Sequence, residues 1–206
     1  MKLSGKAENG KRNPGGENRM QNNENQHTEN QHIIHESIED DKLLLRPVTE
    51  EDCGLIVQWR NNPRVMSRYI YREPFTLEGQ KRYYHTKVET GEVAQFIAIE
   101  KETGLPIGCV VLDDLNERYA ECGNWIGEDA ATGKGYSPRM IRLACRYAFE
   151  VYGLEGIVAR IFTDNPASLR SYEKAGFEAV GILPMVECTD GQKKDMVFLR
   201  IGRSKL

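Results

Sequence analysis

Residues 128–140 read EDAATGKGYSPRM, which sets two glycines around a lysine and then places serine and proline where a helical pattern begins. Glycine permits a positive φ, and Ser137 followed by Pro138 is typical of a helix N-cap and first helical position. A helix start also attracts anions, because its first N–H groups lack partners and the helix dipole favours negative charge there. The stretch therefore indicates either a simple break between elements or a phosphate site. Neither the Walker A nor the Rossmann glycine spacing matches it.

Strand-like and helical patterns follow one another on both sides of this loop. Strands are predicted at residues 42–48, 93–100, 106–115, 120–128, 156–162, 178–188 and 193–201, and helices at 49–62, 76–89, 138–153 and 164–177. In the last helix, Asn165 is the predicted N-cap and Pro166 the first helical residue. The order β-α-α-β-β-β-α-β-α-β-β predicts an α/β (mixed α+β) fold, with a central twisted mixed sheet of six to seven strands flanked by about four helices.

The composition limits where the protein works and what it binds. The net charge of -3 over 206 residues lacks the basic excess of a nucleic-acid binder, and no apolar run is long enough to span a membrane or form a signal peptide. Five scattered cysteines indicate reduced thiols, so we expect a cytoplasmic protein without a metal site.

The domain boundary is expected where the polar composition ends. Residues 1–41 are crowded with Asn, Gln, Glu, Lys and Gly, which predicts a disordered polar segment. Residues 42–206 are expected to form one folded domain.

Two segments together resemble a known family: GKGYSP opening a helix and, after an intervening strand, NPASLRSYEKAGF. They resemble the acetyl-CoA-binding core of the GNAT N-acetyltransferases, and the likeness extends over about residues 42–201. Within that superfamily, LRPVTEED and QWRNNPRV resemble the RimJ/RimL type of protein N-terminal acetyltransferase. The W-R-N-x-P start, GNWIGED and CRYAFE also resemble bacterial amino-sugar N-acetyltransferases.

The resemblance implies acetyl-CoA as co-substrate, with no metal. Backbone N–H groups of residues 133–137 would hold the pyrophosphate, and the strands at 120–128 and 156–162 would splay to admit the pantetheine. Lys134 either adds charge or is merely solvated. Ala130 departs from the family, whose loop usually has Gln or Arg there. The implied cofactor-binding residues are Trp125, Ile126, Gly133, Lys134, Gly135, Tyr136, Ser137, Asn165 and Ser168.

The resemblance also implies catalytic roles. Tyr172 would be the general acid that protonates the leaving thiolate, although its helical spacing from Leu169 is also that of a core residue. Glu121 would be the general base, directly or through water, unless it is a solvated strand residue. Asp113 and Asp114 are weaker candidates for attracting a cationic amine.

These features predict an enzyme that transfers acetyl from acetyl-CoA to a primary amine, with a protein N-terminal amine as the leading acceptor. The alternatives are a small amine, either an amino sugar or a polyamine, and a non-catalytic acyl-CoA-binding regulatory module. The expected partners are acetyl-CoA and the amine, not nucleic acid or a membrane, with a homodimer left open.

Overall fold

The computed structural model describes residues 36–115 and 118–205, which form one mixed sheet with helices on both faces. Most of the segment predicted to be disordered, residues 1–35, lies outside the described residues. Ahead of the boundary expected at Lys42, Ile38–Glu39 pairs with the next strand. In addition, the Asp40 carboxylate accepts hydrogen bonds from the N–H groups of Lys42 and Leu43 at 2.8 Å.

The sheet has eight strands, one more than the upper expectation. They are β1 Ile38–Glu39, β2 Leu43–Pro47, β3 Ala94–Glu100, β4 Pro106–Asp113, β5 Tyr119–Ile126, β6 Gly156–Phe162, β7 Glu178–Glu187 and β8 Lys193–Gly202. Their spatial order is β1-β2-β3-β4-β5-β6-β8-β7, and β5 with β6 is the parallel pair. All seven predicted strands are present, and the added β1 is too short to show a periodic pattern.

Within the described residues, five α-helices accompany the sheet. They are α1 Cys53–Arg60, α2 Pro63–Met66, α3 Leu77–Tyr83, α4 Tyr136–Glu150 and α5 Pro166–Lys174. The short α2 was not predicted. It forms because Asn62 caps it, accepting a hydrogen bond from the N–H of Arg64 at 3.0 Å, and because Pro63 occupies the first helical position.

The helices α4 and α5 have different kinds of N-cap. α5 begins as predicted, with the Asn165 side chain accepting a hydrogen bond from the N–H of Ser168 at 3.3 Å. The prediction of Ser137 as the N-cap of α4 is wrong, because left-handed Gly135, at φ 80°, turns the chain into the helix earlier. The Ser137 hydroxyl instead accepts a hydrogen bond from the Asn124 amide at 2.9 Å.

The sheet separates two cores. On one face, α4 and α5 pack on a large cluster that includes Phe96, Leu112 and Cys122. On the other face, α1 packs Trp59 near Trp125. Because successive strand residues point to opposite faces, β5 contributes to both cores, and its edge can be reached from either side of the sheet.

Candidate active site

The strands β5 and β6 are paired over only part of their length. Their parallel register covers Tyr119 to Glu121 against Gly156 to Val158. Beyond it, β5 continues to Ile126 while β6 continues beside β8 to Phe162. The two strands therefore diverge after Glu121, as the family resemblance implied, and the β5 edge facing β6 is open over residues 122–126.

Two tyrosine hydroxyls reach this open edge from opposite faces of the sheet. Tyr172 of α5 donates to the carbonyl oxygen of Cys122 at 2.7 Å, and Tyr69, after α2, donates to that of Asn124 at 3.1 Å. The two acceptors are two residues apart, or about 7 Å along the strand. The edge therefore has a polar contact from each side of the sheet.

Tyr172 is a buried side chain whose hydroxyl lies at the open edge. Its side chain is fully buried and stands edge-on to Phe177, with ring centroids 5.0 Å apart. Its hydroxyl nevertheless reaches the β5 edge and borders the cleft there. Burial above all raises the pKa of Tyr172 well above the usual value for a phenol. The side chain is therefore a core residue that holds a neutral, proton-bearing hydroxyl at the site.

Glu121 has a partner that the sequence analysis missed. Arg160 of β6 donates to both of its carboxylate oxygens, over 2.7 to 3.0 Å. The hydrogen bonding of Arg160 to the Glu121 carboxylate is the main cause that raises the pKa of Arg160. The strand register brings the two together, because Val158 lies opposite Glu121 and Arg160 follows it on the same face of β6. Glu121 therefore lies at the site as an ion-paired carboxylate.

The glycine loop leaves its backbone open at the start of α4. Gly133 and Gly135 have φ values of 78° and 80°, and a Cβ at either would meet nothing within 4 Å. The exposed Lys134 lies between them. The Tyr136 hydroxyl donates to the Glu100 carboxylate, so side chains hold the loop while the first helical N–H groups remain available. This geometry fits a phosphate bound against the backbone.

The other predicted binding residues are divided between the two faces. Trp125 is nearly buried in the α1 core, and its indole nitrogen has no hydrogen-bond partner among the described residues. Ile126 packs against the α4 core. Asn165 and Ser168 line the cleft beside Tyr172. The side chains of Trp125 and Ile126 pack in the two cores. Their expected contact with acetyl-CoA therefore concerns their backbone groups at the strand edge.

A cleft of about 830 Å³ adjoins the open edge on the α1 face. Its charged lining residues are Arg60, Arg68, Arg82, Arg160, Asp113, Asp114 and Glu121. Aromatic rings of Tyr69, Phe75, Tyr83 and Trp125 form much of the remaining wall. No role in the site was expected from the sequence for the cleft residues that lie within 60–75.

Arg60 is the least exposed of these charged residues. It is 6% exposed, and its guanidinium carbon lies 3.6 Å from the ring centroid of Tyr69, 4.7 Å from that of Phe75 and 5.3 Å from that of Trp125. Burial above all raises the pKa of Tyr69, and the neighbouring Arg60 charge opposes that rise. Arg60 therefore places a buried positive charge beside the hydroxyl that contacts Asn124.

Within residues 36–115 and 118–205, no cluster of three or more His, Cys, Asp or Glu side chains could hold a metal ion. No helix within these ranges has the length and apolar character needed to cross a membrane.

Comparison with known proteins places this geometry in a family. Residues 42–178 match the acetyltransferase (GNAT) domain. An uncharacterized protein of Methanocaldococcus jannaschii is 30% identical over 142 residues, which cover 68% of this chain but only 29% of that longer protein. The spermidine N(1)-acetyltransferase of Vibrio cholerae is 27% identical over 169 residues, which cover 81% of this chain and 96% of the relative.

A solved structure agrees with the sequence comparison. The Vibrio cholerae spermidine N-acetyltransferase in complex with CoA and spermine superposes with a TM-score of 0.74 at 26% identity, over 81% of this chain and 98% of that one. The family match, the open β5 edge and the glycine loop before α4 all point to the same assignment. The chain therefore belongs to the GNAT acetyltransferase family and is an N-acetyltransferase.

Proposed function

We propose that the protein transfers the acetyl group of acetyl-CoA directly to a small primary amine, with both substrates bound together. The observation that carries this proposal is the open β5 edge, which has the Tyr172 hydroxyl at its start and the glycine loop beyond its far end. The similarity to spermidine N-acetyltransferases supports the small-amine alternative more than the protein N-terminal amine or a RimJ/RimL-like subtype.

The glycine loop and the strand edge would hold acetyl-CoA. Backbone N–H groups of residues 133–137 would bind the pyrophosphate, and Lys134 would add positive charge. The backbone of Trp125 and Ile126 would line the pantetheine along β5, with Asn165 and Ser168 near its inner end. Bound acetyl-CoA supplies an activated thioester, and this chain supplies position, shielding from water and proton transfer.

Tyr172 is the proposed general acid. When the amine nitrogen attacks the carbonyl carbon, the C–S bond breaks, the nitrogen loses a proton and the sulfur must gain one. The hydroxyl that donates to Cys122 in this structure would turn its proton to the departing sulfur. Because burial disfavours the phenolate, the phenol that has protonated the sulfur would regain a proton from water of the cleft, and the proton that the amine nitrogen loses would pass to solvent in turn.

Glu121 is proposed to accept the proton of the amine through a water molecule. Its two oxygens already accept from Arg160, but a carboxylate offers about four acceptor positions. Asp113, exposed at the end of β4 and lining the cleft, would attract the ammonium form of the acceptor.

Turnover of acetyl-CoA against a panel of amines tests the enzyme against the acyl-CoA-binding regulatory module. The panel includes spermidine, an amino sugar and a short peptide with a free N-terminus. We expect release of CoA with at least one small amine. Tight acetyl-CoA binding without turnover of any amine would support the regulatory module instead.

Replacing Tyr172 by Phe tests the proposed acid. The change keeps the buried ring and removes the hydroxyl, so we expect kcat to fall by roughly 10²- to 10⁴-fold with little change in acetyl-CoA affinity. Stopped-flow release of CoA and calorimetry measure the two quantities. A folded variant with normal kcat would refute the assignment.

The proposal also covers the cellular location of the protein and its assembly into oligomers. The five cysteines are unpaired and buried, which fits the proposed cytoplasmic location. The edge strand β7 exposes Val180, Ile182 and Met185, and the spermidine N-acetyltransferase of Vibrio cholerae has been solved as a dodecamer. We therefore propose that the chain forms at least a homodimer, which light scattering of the purified protein would test.

A further inference from the structure

The positive charges of the cleft are not all neutralised by the protein. Arg68 pairs with Asp164, and Arg160 pairs with Glu121, whereas Arg60 and Arg82 form no ion pair with an Asp or Glu of the described residues. Arg82 is exposed, so water can solvate it. Arg60 is 6% exposed, so water solvates its charge much less.

A buried arginine of this kind is costly to the fold. Its guanidinium presents five N–H donors in a planar fork. The rings of Tyr69, Phe75 and Trp125 contact the cation and recover part of the lost solvation. They cannot accept the in-plane hydrogen bonds of the fork, for which a carboxylate or a phosphate is the matching partner. The side chain therefore has the chemistry of an anion-binding group.

The same cleft offers a separate place for the amine. Asp113 lies exposed at the end of β4 and lines the cleft. Both charges act on Tyr83 of the cleft wall. Burial is the main cause that raises the pKa of Tyr83, the charge of Asp113 raises it further, and the charge of Arg60 opposes that rise. A carboxylate and a guanidinium thus act on one tyrosine of the wall, an arrangement that suits a ligand carrying both an amine and an anion.

We propose that the acetyl acceptor is a primary amine that also carries a carboxylate or phosphate group, and that Arg60 binds this anionic group. The inference rests on the proposed acetyl transfer to a small amine and narrows its substrate class. A polyamine has no negative group and would bring further positive charge to a cleft that contains four arginines and three acidic residues. Arg60 is thus the residue that excludes polycations and selects anionic amines.

The first experiment compares acceptors that differ only in the anionic group. The pairs are glycine with glycinamide, phosphoethanolamine with ethanolamine, and glucosamine 6-phosphate with glucosamine, and spermidine serves as the polycation. We expect kcat/KM for the better anionic member to exceed that of its neutral partner at least tenfold. The glycine pair reports a carboxylate, and the other two pairs report a phosphate.

The outcomes separate this inference from the proposed function. Preferred turnover of the neutral amines or of spermidine would overturn the anionic acceptor and leave acetyl transfer to a small amine in place. Failure of every amine to react with bound acetyl-CoA would overturn both.

The second experiment assigns the selectivity to Arg60. Arg60→Met should raise KM for the preferred anionic amine at least tenfold and leave acetyl-CoA affinity within twofold, and Arg60→Lys should restore part of the loss. Arg68→Met removes the same charge from the same cleft at a residue already paired with Asp164, so it controls for general electrostatics.

The variants also separate binding from folding. If Arg60→Met changes KM equally for phosphoethanolamine and ethanolamine, Arg60 only supports the aromatic cluster and the proposal fails. Should Arg60→Met fold poorly in a thermal melt, Arg60→Lys carries the test, because a monodentate ammonium should still weaken the anionic member selectively.

Discussion

The acetyl-CoA side and the acceptor side of the cleft are built in different ways. The former comes from two contiguous segments, the glycine loop with the start of α4, and α5. The latter brings together Arg60, Tyr69, Tyr83 and Asp113 from four separate parts of the chain. A site made from the backbone groups of contiguous segments can therefore be recognised in a sequence, whereas a site made from side chains that are distant in the chain cannot.

The two sides also differ in what holds them. Left-handed glycines and the N–H groups of a helix start provide their chemistry wherever the helix is placed. In contrast, the proposed anion-binding role of Arg60 depends on its surroundings. Three aromatic rings contact its guanidinium, and no carboxylate of the described residues pairs with it. Predictions for Gly135, Glu121 and Asp40 test this distinction, in order of expected effect.

Gly135→Val should have the largest effect, and it should be confined to the acetyl-CoA side. A β-branched residue at φ 80° is strained although its Cβ would meet nothing within 4 Å, so the loop should leave its binding conformation. We expect acetyl-CoA affinity to fall by roughly 10- to 100-fold in calorimetry.

Gly153→Val is the matched control, because Gly153 has φ 68° and open space at the other end of α4. It should cost similar stability and leave affinity unchanged. Equal affinity losses in both variants would show that the fold as a whole, and not the loop backbone, determines binding.

Glu121→Gln should have an intermediate effect, at the boundary between the two sides. Arg160 donates to both carboxylate oxygens of Glu121, so we propose that Glu121 accepts the proton only through a water molecule. The glutamine should therefore remove only part of the general-base catalysis, and we expect kcat to fall by up to about tenfold. The rate as a function of pH measures this, and Asp113→Asn is the comparison variant. A loss of a thousandfold or more would make Glu121 the direct base.

Asp40→Asn should have the smallest effect. It tests whether the glycine loop binds acetyl-CoA independently of the distant contact between Asp40 and α4. The Asp40 carboxylate accepts hydrogen bonds from the N–H of Lys42 and of Leu43, and from Arg139 of α4 at 2.8 Å. Burial alone would raise the pKa of Asp40, but these three hydrogen bonds lower it overall. We expect a loss of about 1 kcal/mol in unfolding free energy at pH 7.

The pH dependence of that loss has a definite sign. Because the folded pKa is lowered, the stabilisation is complete above the unfolded value of about 3.9 and disappears as the pH falls through the folded pKa. Urea melts of both proteins between pH 7 and pH 2 should therefore converge at the acid end. A constant difference would mean that Asp40 acts without its charge. Reduced acetyl-CoA affinity in the variant would show that the loop depends on this distant contact.

Particular residues show how far sequence reasoning reached. Asn165 was identified as a cap because an asparagine before a proline at a helix start has a local cause. The cap of α4 was misplaced, because left-handed Gly135 starts the helix two residues earlier, and the hydroxyl of Ser137 instead accepts a hydrogen bond from the Asn124 amide of β5. The strand β1 was missed because two residues carry no period and pair only when β2 is present.

The sequence by itself determined the order of elements, the phosphate-capable loop and the position of Tyr172, because hydrophobic period, glycine conformation and helix capping act over a few residues. Only the tertiary structure decided that Tyr172 meets Cys122, that Arg160 engages Glu121 and that Arg60 is buried without an ion pair to any described acidic residue. Those contacts join segments far apart in the chain, and the charge and pKa of a side chain depend on the neighbours that folding brings to it.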